Sequence, residues 1–600
     1  MTAGTMRTAS THRAPLPLRG MRLSTGSLPG SFATASEHLR LLGAEPVAGE
    51  SAALTLTGPD GATAAAEVSW GGAHSQVCDE ATAQAAAGLM LVHGRRDGSP
   101  RGLAVDYAAT ATGILTAQGL LAALIGQSRG TAATAVGVAA DRTALLTISQ
   151  YLAAACADDD EATPLAPGGP PFTTADGVYF EVEALDVAVW ADFWRAMDAP
   201  ADAVRKGWRP FQFRYATACA PIPEELHRTT STRTWAQVRA AADESGADVC
   251  RLHTLTERGE EMRAEGGNAL PWQFALSEPA ESRSMVRTAA ATVARPLAGF
   301  TVLEAGRRVQ APLAAHLLGL LGADVVRIEP PGGDPLRGMP PTCSDTSARW
   351  LALNRGKDAV EIDIKSPADR NRLRELVTGA DVFLHNWAPG KAEQLELGAE
   401  DLWAANPGLV YAYTSGWAGR LEHAPMGTDF MVQARTGVGA AARPADEPPM
   451  PSLMTLLDVL GGMLGAEAIL AGLLTRERTG RGVHVESSLL AAADLLTAPA
   501  AARAVAGLPP RRPAGFRRPL PTADGWLAPS DEHAAAAAVH ADRLHGLRTG
   551  DAVAWLRDNG IHATAVTTDL AELPGDPRFA AALTTDTHGA VAVSSPWSFR

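Results

Sequence analysis

The carboxylate of Asp429 has the most suggestive surroundings of any reactive side chain in this sequence. It follows Gly427-Thr428 and precedes Gln433, Ala434 and Gly437. A carboxylate there can cap a helix starting at Phe430 or act on a bound molecule, and spacing alone does not choose between the two. Four basic residues, Arg327, Arg337, Arg355 and Lys357, come earlier in the same half. Each is either a solvated surface charge or part of a local basic cluster able to bind phosphate. His533, His540 and His545 lack metal-ligand spacing in an alanine-rich stretch and read as a solvated face. His385 reads as a satisfied buried histidine. Gly461-Gly462-x-x-Gly465 lies in a helical stretch and reads as packing. Asp158-Asp159-Asp160-Glu161 reads as an exposed loop. Five scattered cysteines, none in C-x-x-C spacing, argue against a disulfide framework or a zinc site and fit a reducing compartment.

The elements that must position these residues are legible. Thr301 to Ala305 reads as a short buried strand, followed by a helix from Pro312 to Leu321 that Gly322 ends. Asp324 to Glu329 is the next strand, stopped by Pro330-Pro331-Gly332-Gly333. A helix over 367–378, capped by Ser366, leads to strands at 381–385 and 409–413. Leu456 to Arg478 reads as a long core helix. This alternation predicts an α/β fold with a doubly wound parallel sheet, whose ligands sit beyond the carboxyl ends of the strands. Chemistry is therefore expected after Ala305, Glu329, His385 and Tyr413.

The chain has 600 residues, 46% hydrophobic and 20% charged, and a net charge of -14. That length calls for two large domains or more. Such an acidic chain is a poor candidate for nucleic acid or an anionic membrane, although local basic groups can still hold an anionic cofactor. The apolar run from Ala108 to Ile125 is broken by Thr, Gly and Gln and reads as a buried helix. A duplication organises the rest. PLRGMRLSTGSLPGSF from Pro17 matches PLAGFTVLEAGRRVQA from Pro296, and DYAATATG from Asp106 matches DVLGGMLG from Asp458. TADG recurs at 174 and 522, and a fourth pair joins the segments from Trp235 and Ala552. Three parts are expected: a loose tail at 1–14, a shortened copy at 15–285 and a complete copy at 286–600.

Six motifs, in order, make the second copy similar to the class III (CaiB/BaiF, formyl-CoA transferase-like) coenzyme A transferases. They are LLGLLGADVVRIEPPGGDPLR (Leu317 to Arg337), Asn354-Arg355-Gly356-Lys357, the segment from Ala380 to Gly390, Ser415-Gly416, Gly427-Thr428-Asp429 with Gln433, and Thr479 to Gly482. The resemblance implies that Asp429 is the nucleophile. It would accept the acyl group of a thioester as a mixed anhydride and then carry coenzyme A as an aspartyl thioester. It implies that Gln310, Arg327, Arg337, Asn354, Arg355, Lys357, Asn386, Trp387 and Gly390 contact acyl-CoA, which enters as substrate with no permanently bound cofactor and no metal. The loop lacks the basic residue often found at Ala388, and Ala311 replaces a glycine. Thr428 stands where racemases of the family carry histidine, which disfavours racemase chemistry. An isomerase, a lyase or a non-catalytic acyl-CoA-binding protein remains the alternative. Partners are then an acyl-CoA and a carboxylic acid, in the cytoplasm, without membrane or nucleic acid. Family members are homodimers of interlinked chains with sites between subunits, so the two copies are expected to form an intrachain pseudo-dimer, monomeric or weakly self-associating. The shortened copy is expected to have no counterpart of Asp429.

Overall fold

The computed structural model describes residues 16–26, 28–48, 53–72, 75–266, 270–279 and 291–600. The expected tail at 1–14 and the join at 285/286 lie outside them. The first half supplies strands β1 (Arg22–Ser24), β2 (Glu45–Val47), β3 (Leu54–Thr57), β4 (Thr63–Ser69) and β5 (Ala135–Ala139). It then gives a small sheet, β6 (Phe172–Thr173), β7 (Tyr179–Glu183) and β8 (Asp248–Arg251), and a last strand β9 (Trp272–Leu276). The second half supplies β10 (Thr301–Ala305), β11 (Asp324–Glu329), β12 (Asp358–Glu361), β13 (Val382–His385), β14 (Val410–Ser415) and β15 (Val483–Ser488). Its small sheet is β16 (Leu520–Pro521), β17 (Trp526–Pro529) and β18 (Ala563–Ala565), and β19 (Trp597–Phe599) ends the chain.

The larger sheet runs β12-β11-β10-β13-β14-β15-β9. Its first six strands are parallel, as buried β-branched and aromatic runs between helices require. The seventh, β9, comes from the first half and pairs antiparallel with β15, Trp272 opposite Ser487. The other sheet runs β2-β1-β3-β4-β5-β19 and is mixed. Here the outer strand comes from the second half: Trp597 of β19 lies opposite Val138 of β5, antiparallel. Each half thus closes its sheet with a strand of the other, which covers an edge that would otherwise be open.

The helices repeat the relationship. They are α1 (Ala33–Leu41), α2 (Glu80–Ala86), α3 (Tyr107–Ser128), α4 (Gln310–Leu320), α5 (Asp429–Thr436) and α6 (Leu456–Thr479). α3 and α6 pack together in one hydrophobic core that spans both halves. Both are long and apolar enough to cross a membrane, and both are instead enclosed by protein. α3 meets α1 at Gly113, where a Cβ would stand 2.7 Å from Thr34 Cβ. α6 meets α4 at Gly462, where a Cβ would stand 2.7 Å from the Gln310 carbonyl oxygen. The two glycines are 349 residues apart and serve the same close crossing. The helical match is therefore corrected: pairing Asp106 with Asp458 is three residues out of register.

Candidate active site

Asp429 is the first residue of α5, and its side chain is 3% exposed. It does not cap its own helix. One carboxylate oxygen, Oδ2, accepts the backbone N–H groups of Leu457 (2.7 Å) and Asp458 (2.8 Å), at the start of α6. The other, Oδ1, accepts the side-chain amide of Gln433 at 2.5 Å. Gln433 is fixed in turn: it donates to the carbonyls of Ser452 (2.9 Å) and Met454 (3.4 Å) and accepts the Ser452 N–H at 2.8 Å. Burial, followed by the neighbouring Asp458 carboxyl, pushes the Asp429 carboxyl well above the usual range, against the pull of Gln433 and the two amides. Burial also lifts Asp458 itself to about 6. Unpaired amides at a helix start stabilise an anion, so the cradle favours whichever oxygen carries charge.

The first half encloses this carboxyl. Tyr107 donates its hydroxyl to the Leu456 carbonyl at 3.2 Å, and Tyr151 accepts the Thr455 N–H at 3.4 Å. Thr428 donates to Glu183 Oε2 at 2.8 Å, and Glu183 Oε1 pairs with Arg214 at 3.1 Å, both of that pair nearly fully buried. The Arg214 guanidinium lies 4.7 Å from the Phe430 ring centre. Around Asp429, then, helix and cradle come from the second half and the enclosing side chains from the first.

The sequence-derived binding residues separate into two groups. Arg327 spends all five N–H directions: on Glu329 (3.3 Å), on Glu304 (2.6 Å) and Asn354 (2.8 Å), and on the Gly306 carbonyl (3.3 Å) and Asp334 (2.7 Å). Lys357 likewise spends its three on Glu304, the Pro312 carbonyl and Asn354, at 2.7–2.9 Å. Burial draws its ammonium down to about 8. Arg327, Lys357 and Asn354 therefore form a closed cluster that ties β10, β11 and α4 together, a geometry that speaks for support rather than phosphate contact. Arg337 grips Glu329 through two bonds (2.8 and 3.0 Å) and lies 3.8 Å over the Trp350 ring, with its side chain 38% exposed.

The second group lies outside that cluster, and its members range from buried to exposed. Arg355 rests on the carbonyls of Ala352 (3.2 Å) and Val593 (2.6 Å), and burial lowers it to about 10. Asn386 bridges the backbone of Arg307 through both side-chain atoms at 2.9 Å. Half-buried Trp387 sets its indole 4.8 Å from the His385 ring, tilted by 37°. Gly390 is exposed with φ 74°, where any side chain would be strained. Gln310 is buried and donates to the Ser415 carbonyl at 3.3 Å. His385 shares a 2.7 Å hydrogen bond with the Tyr411 hydroxyl, and burial lowers it to about 3. Sequence reasoning missed Arg307 and Arg308, two exposed cations just after β10. Arg308 has φ 59° and lies 5.4 Å over the Tyr215 ring of the first half. The signal was their position at the carboxyl end of a parallel strand. Among the described residues no group of three His, Cys, Asp or Glu side chains could hold a metal ion.

The first half does carry a counterpart of Asp429, contrary to the sequence expectation. Glu80, the first residue of α2, is 3% exposed. It accepts the backbone N–H groups of Ala108 and Ala109 at 2.8 Å each, at the start of α3. Gln84 donates to it at 2.8 Å and also bonds Leu103 and Val105. Every partner is 349 residues before the corresponding one around Asp429.

The family model for CoA-transferase family III matches residues 69–268 and 297–584. Over 200 residues the chain is 34% identical to succinyl-CoA:glutarate CoA-transferase of Mus musculus, covering 33% of this chain and 46% of that one. It is 36% identical over 209 residues to acetyl-CoA:oxalate CoA-transferase of Acetobacter aceti, covering 34% and 54%. It is 33% identical over 211 residues to the beta subunit of succinyl-CoA–L-malate CoA-transferase of Chloroflexus aurantiacus, covering 33% and 50%. The chain spans about half the length of the curated relatives it matches. A solved CAIB/BAIF family protein from Brucella suis aligns with TM-score 0.46 and 26% identity, over 50% of this chain and 92% of that one.

Proposed function

This chain belongs to CoA-transferase family III, and from that premise we propose that it moves coenzyme A from an acyl-CoA to a carboxylic acid, with Asp429 as the nucleophile. The observation that carries the proposal is the cradle of Asp429: a buried carboxyl on two helix-start amides, with a fixed Gln433 beside it. A free lone pair on Oδ1 attacks the thioester carbonyl carbon. The C–S bond breaks, coenzyme A leaves as thiolate, and a mixed anhydride joins the acyl group to Asp429. The thiolate attacks the Asp429 carbonyl, giving the aspartyl thioester and releasing the donor acid. The acceptor carboxylate reverses these steps: it forms its own anhydride with Asp429, and the thiolate takes the acceptor acyl group. The Leu457 and Asp458 amides are the donors for the oxyanions formed at the aspartyl carbon.

The relatives' names give glutarate, oxalate and L-malate as acids, each bearing two carboxylates. A dicarboxylate acceptor is the reading that Arg307 and Arg308 support, as cations at the carboxyl end of β10. Arg355, Arg337, Asn386, Trp387, Gly390 and Gln310 are the residues proposed to bind acyl-CoA. The halves at 15–285 and 286–600 act as one unit with Asp429 between them, a reading supported by the exchanged strands β9 and β19. The test is exchange of isotopically labelled dicarboxylic acid into succinyl-CoA. The wild type exchanges label and Asp429→Ala does not. An Asp429→Ala protein exchanging at the wild-type rate contradicts the proposal.

A further inference from the structure

A cavity of about 550 Å³ lies between the two halves, and none of the residues placed around Asp429 lines it. The first half contributes α1 and the turn into α3, and the second contributes the helix Leu489–Val505 and the loop after it. That volume is in the range of small-molecule sites. Leu41, Val105, Met262, Leu495 and Leu496 give it apolar walls.

Its floor holds a buried pair that no step proposed for Asp429 uses. His38 of α1 lines the cavity and is 1% exposed. Its Nδ1 lies 3.1 and 3.0 Å from Oε1 and Oε2 of Glu467, a fully buried residue of α6. Trp272 of β9 sets its ring at 80° to the imidazole, 4.9 Å between centres, and with Glu467 fixes the His38 ring. Nε2 is left with no hydrogen-bond partner among the described residues. Glu467 does not line the cavity, so the Nε2 edge is the one that the cavity meets. A buried nitrogen in that state costs free energy that a bound polar group recovers. A hydroxyl suits it best, because it both donates and accepts and so serves Nε2 in either tautomer and in the protonated ring.

The mouth is cationic. Arg503 and Arg512 are exposed there. Among the described residues Arg503 uses only Nε, on the Pro509 carbonyl at 2.9 Å. Arg512 is 3.5 Å from Asp106, which Arg517 holds more closely at 2.6 Å. Of the other lining acids, Asp494 and Glu265 are paired with Arg258 and Arg420, and Glu37 is exposed to solvent. Two guanidinium groups therefore have donors left for an anion, and their planar forks match a carboxylate.

We infer that this cavity is a second small-molecule site, for a hydroxycarboxylic acid. The carboxylate lies on Arg503 and Arg512, the hydroxyl on His38 Nε2, and a hydrocarbon body between the apolar walls. No covalent bond is made or broken there, and the site does not depend on the chemistry proposed for Asp429. Because both halves line it, the bound acid stabilises their association by mass action.

Isothermal titration of the full chain tests the inference, with 4-hydroxybutyrate, 6-hydroxyhexanoate, 8-hydroxyoctanoate and 10-hydroxydecanoate beside the parent acids that lack the hydroxyl. The series varies the length of the body. The expected result is one site per chain for at least one hydroxy acid, with its parent acid weaker by about tenfold, the scale of one lost buried hydrogen bond. Arg503→Ala and Arg512→Ala, at exposed positions, each weaken binding by about tenfold, and Asp429→Ala leaves it unchanged. The ligand is varied in place of His38 because a substitution there would strand Glu467. Absence of binding by every hydroxy acid at millimolar concentration overturns the inference. So does equal affinity for the parent acid, unchanged affinity in the Arg503→Ala/Arg512→Ala double variant, or loss of binding in Asp429→Ala. A failure of acyl transfer at Asp429 counts only against the function proposed above.

Discussion

Gln433 donates its side-chain amide to Asp429 across one turn of the same helix, at 2.5 Å, and it is itself fully buried. The pair is built as a unit, because the other bonds of Gln433 lock its rotamer. Gln433→Ala leaves the Ser452 backbone groups without partners and costs about 1–3 kcal/mol of stability. It also frees the Asp429 carboxyl to swing, so kcat falls about 100-fold with little change in KM. Urea titration and steady-state kinetics read the two effects separately.

The first half is expected to act on the site through Glu183. Removing one member of the buried Glu183–Arg214 pair strands the other charge, at a cost of about 3–5 kcal/mol. Glu183→Ala is therefore more destabilising than Glu183→Ala combined with Arg214→Met. A double-mutant cycle by chemical denaturation measures the coupling, and additivity of the two changes contradicts the arrangement described here.

Arg327 and Trp387 separate support from binding. Arg327→Met breaks the closed cluster with Glu304, Glu329 and Asp334 and lowers stability by about 3–5 kcal/mol. It leaves KM for acyl-CoA nearly unchanged in the protein that remains folded. Trp387→Ala does the reverse. It removes a half-buried aromatic surface and raises KM about tenfold, the scale of one lost base stack at ~1–3 kcal/mol.

Glu80 gives the protein a pH dependence with a definite sign. Its carboxyl is raised from 4.5 to about 7 on folding. The folded state thus holds a proton that the unfolded chain has released between those values, and the resulting stability is complete below pH 4.5 and lost as pH rises through 7. The span corresponds to about 3 kcal/mol at most. Thermal melting from pH 4.5 to 8 should show this decline in the wild type and a flatter profile in Glu80→Gln.

Much of the second half was legible because its strands are short apolar runs ended by proline, glycine or serine. Thr301–Ala305 and Asp324–Glu329 fall where the pattern places them, and Ser366 caps its helix. The duplication was legible too, but not its register along α3 and α6. A slip of three residues is nearly one helical turn, so the apolar faces almost superimpose and identical Asp and Gly letters align at the wrong offset. The backbone bonds to Glu80 and Asp429 fix the true register. Glu80 itself escaped notice because glutamate replaces aspartate inside an alanine-rich run. The closed roles of Arg327 and Lys357 were invisible because their partners, Glu304 and Asp334, lie on other elements. The strand exchange through β9 and β19 carries no local signal at all, since an edge strand reads the same whichever sheet it joins.

The central claim is that Asp429 carries the acyl group and then coenzyme A. The direct measurement is reduction with borohydride during turnover, followed by mass analysis of the peptide containing Asp429. Reduction of the aspartyl thioester to the alcohol, at Asp429 and only when acyl-CoA is present, is the predicted result. Sustained coenzyme A exchange in borohydride with the Asp429 peptide unchanged would contradict it.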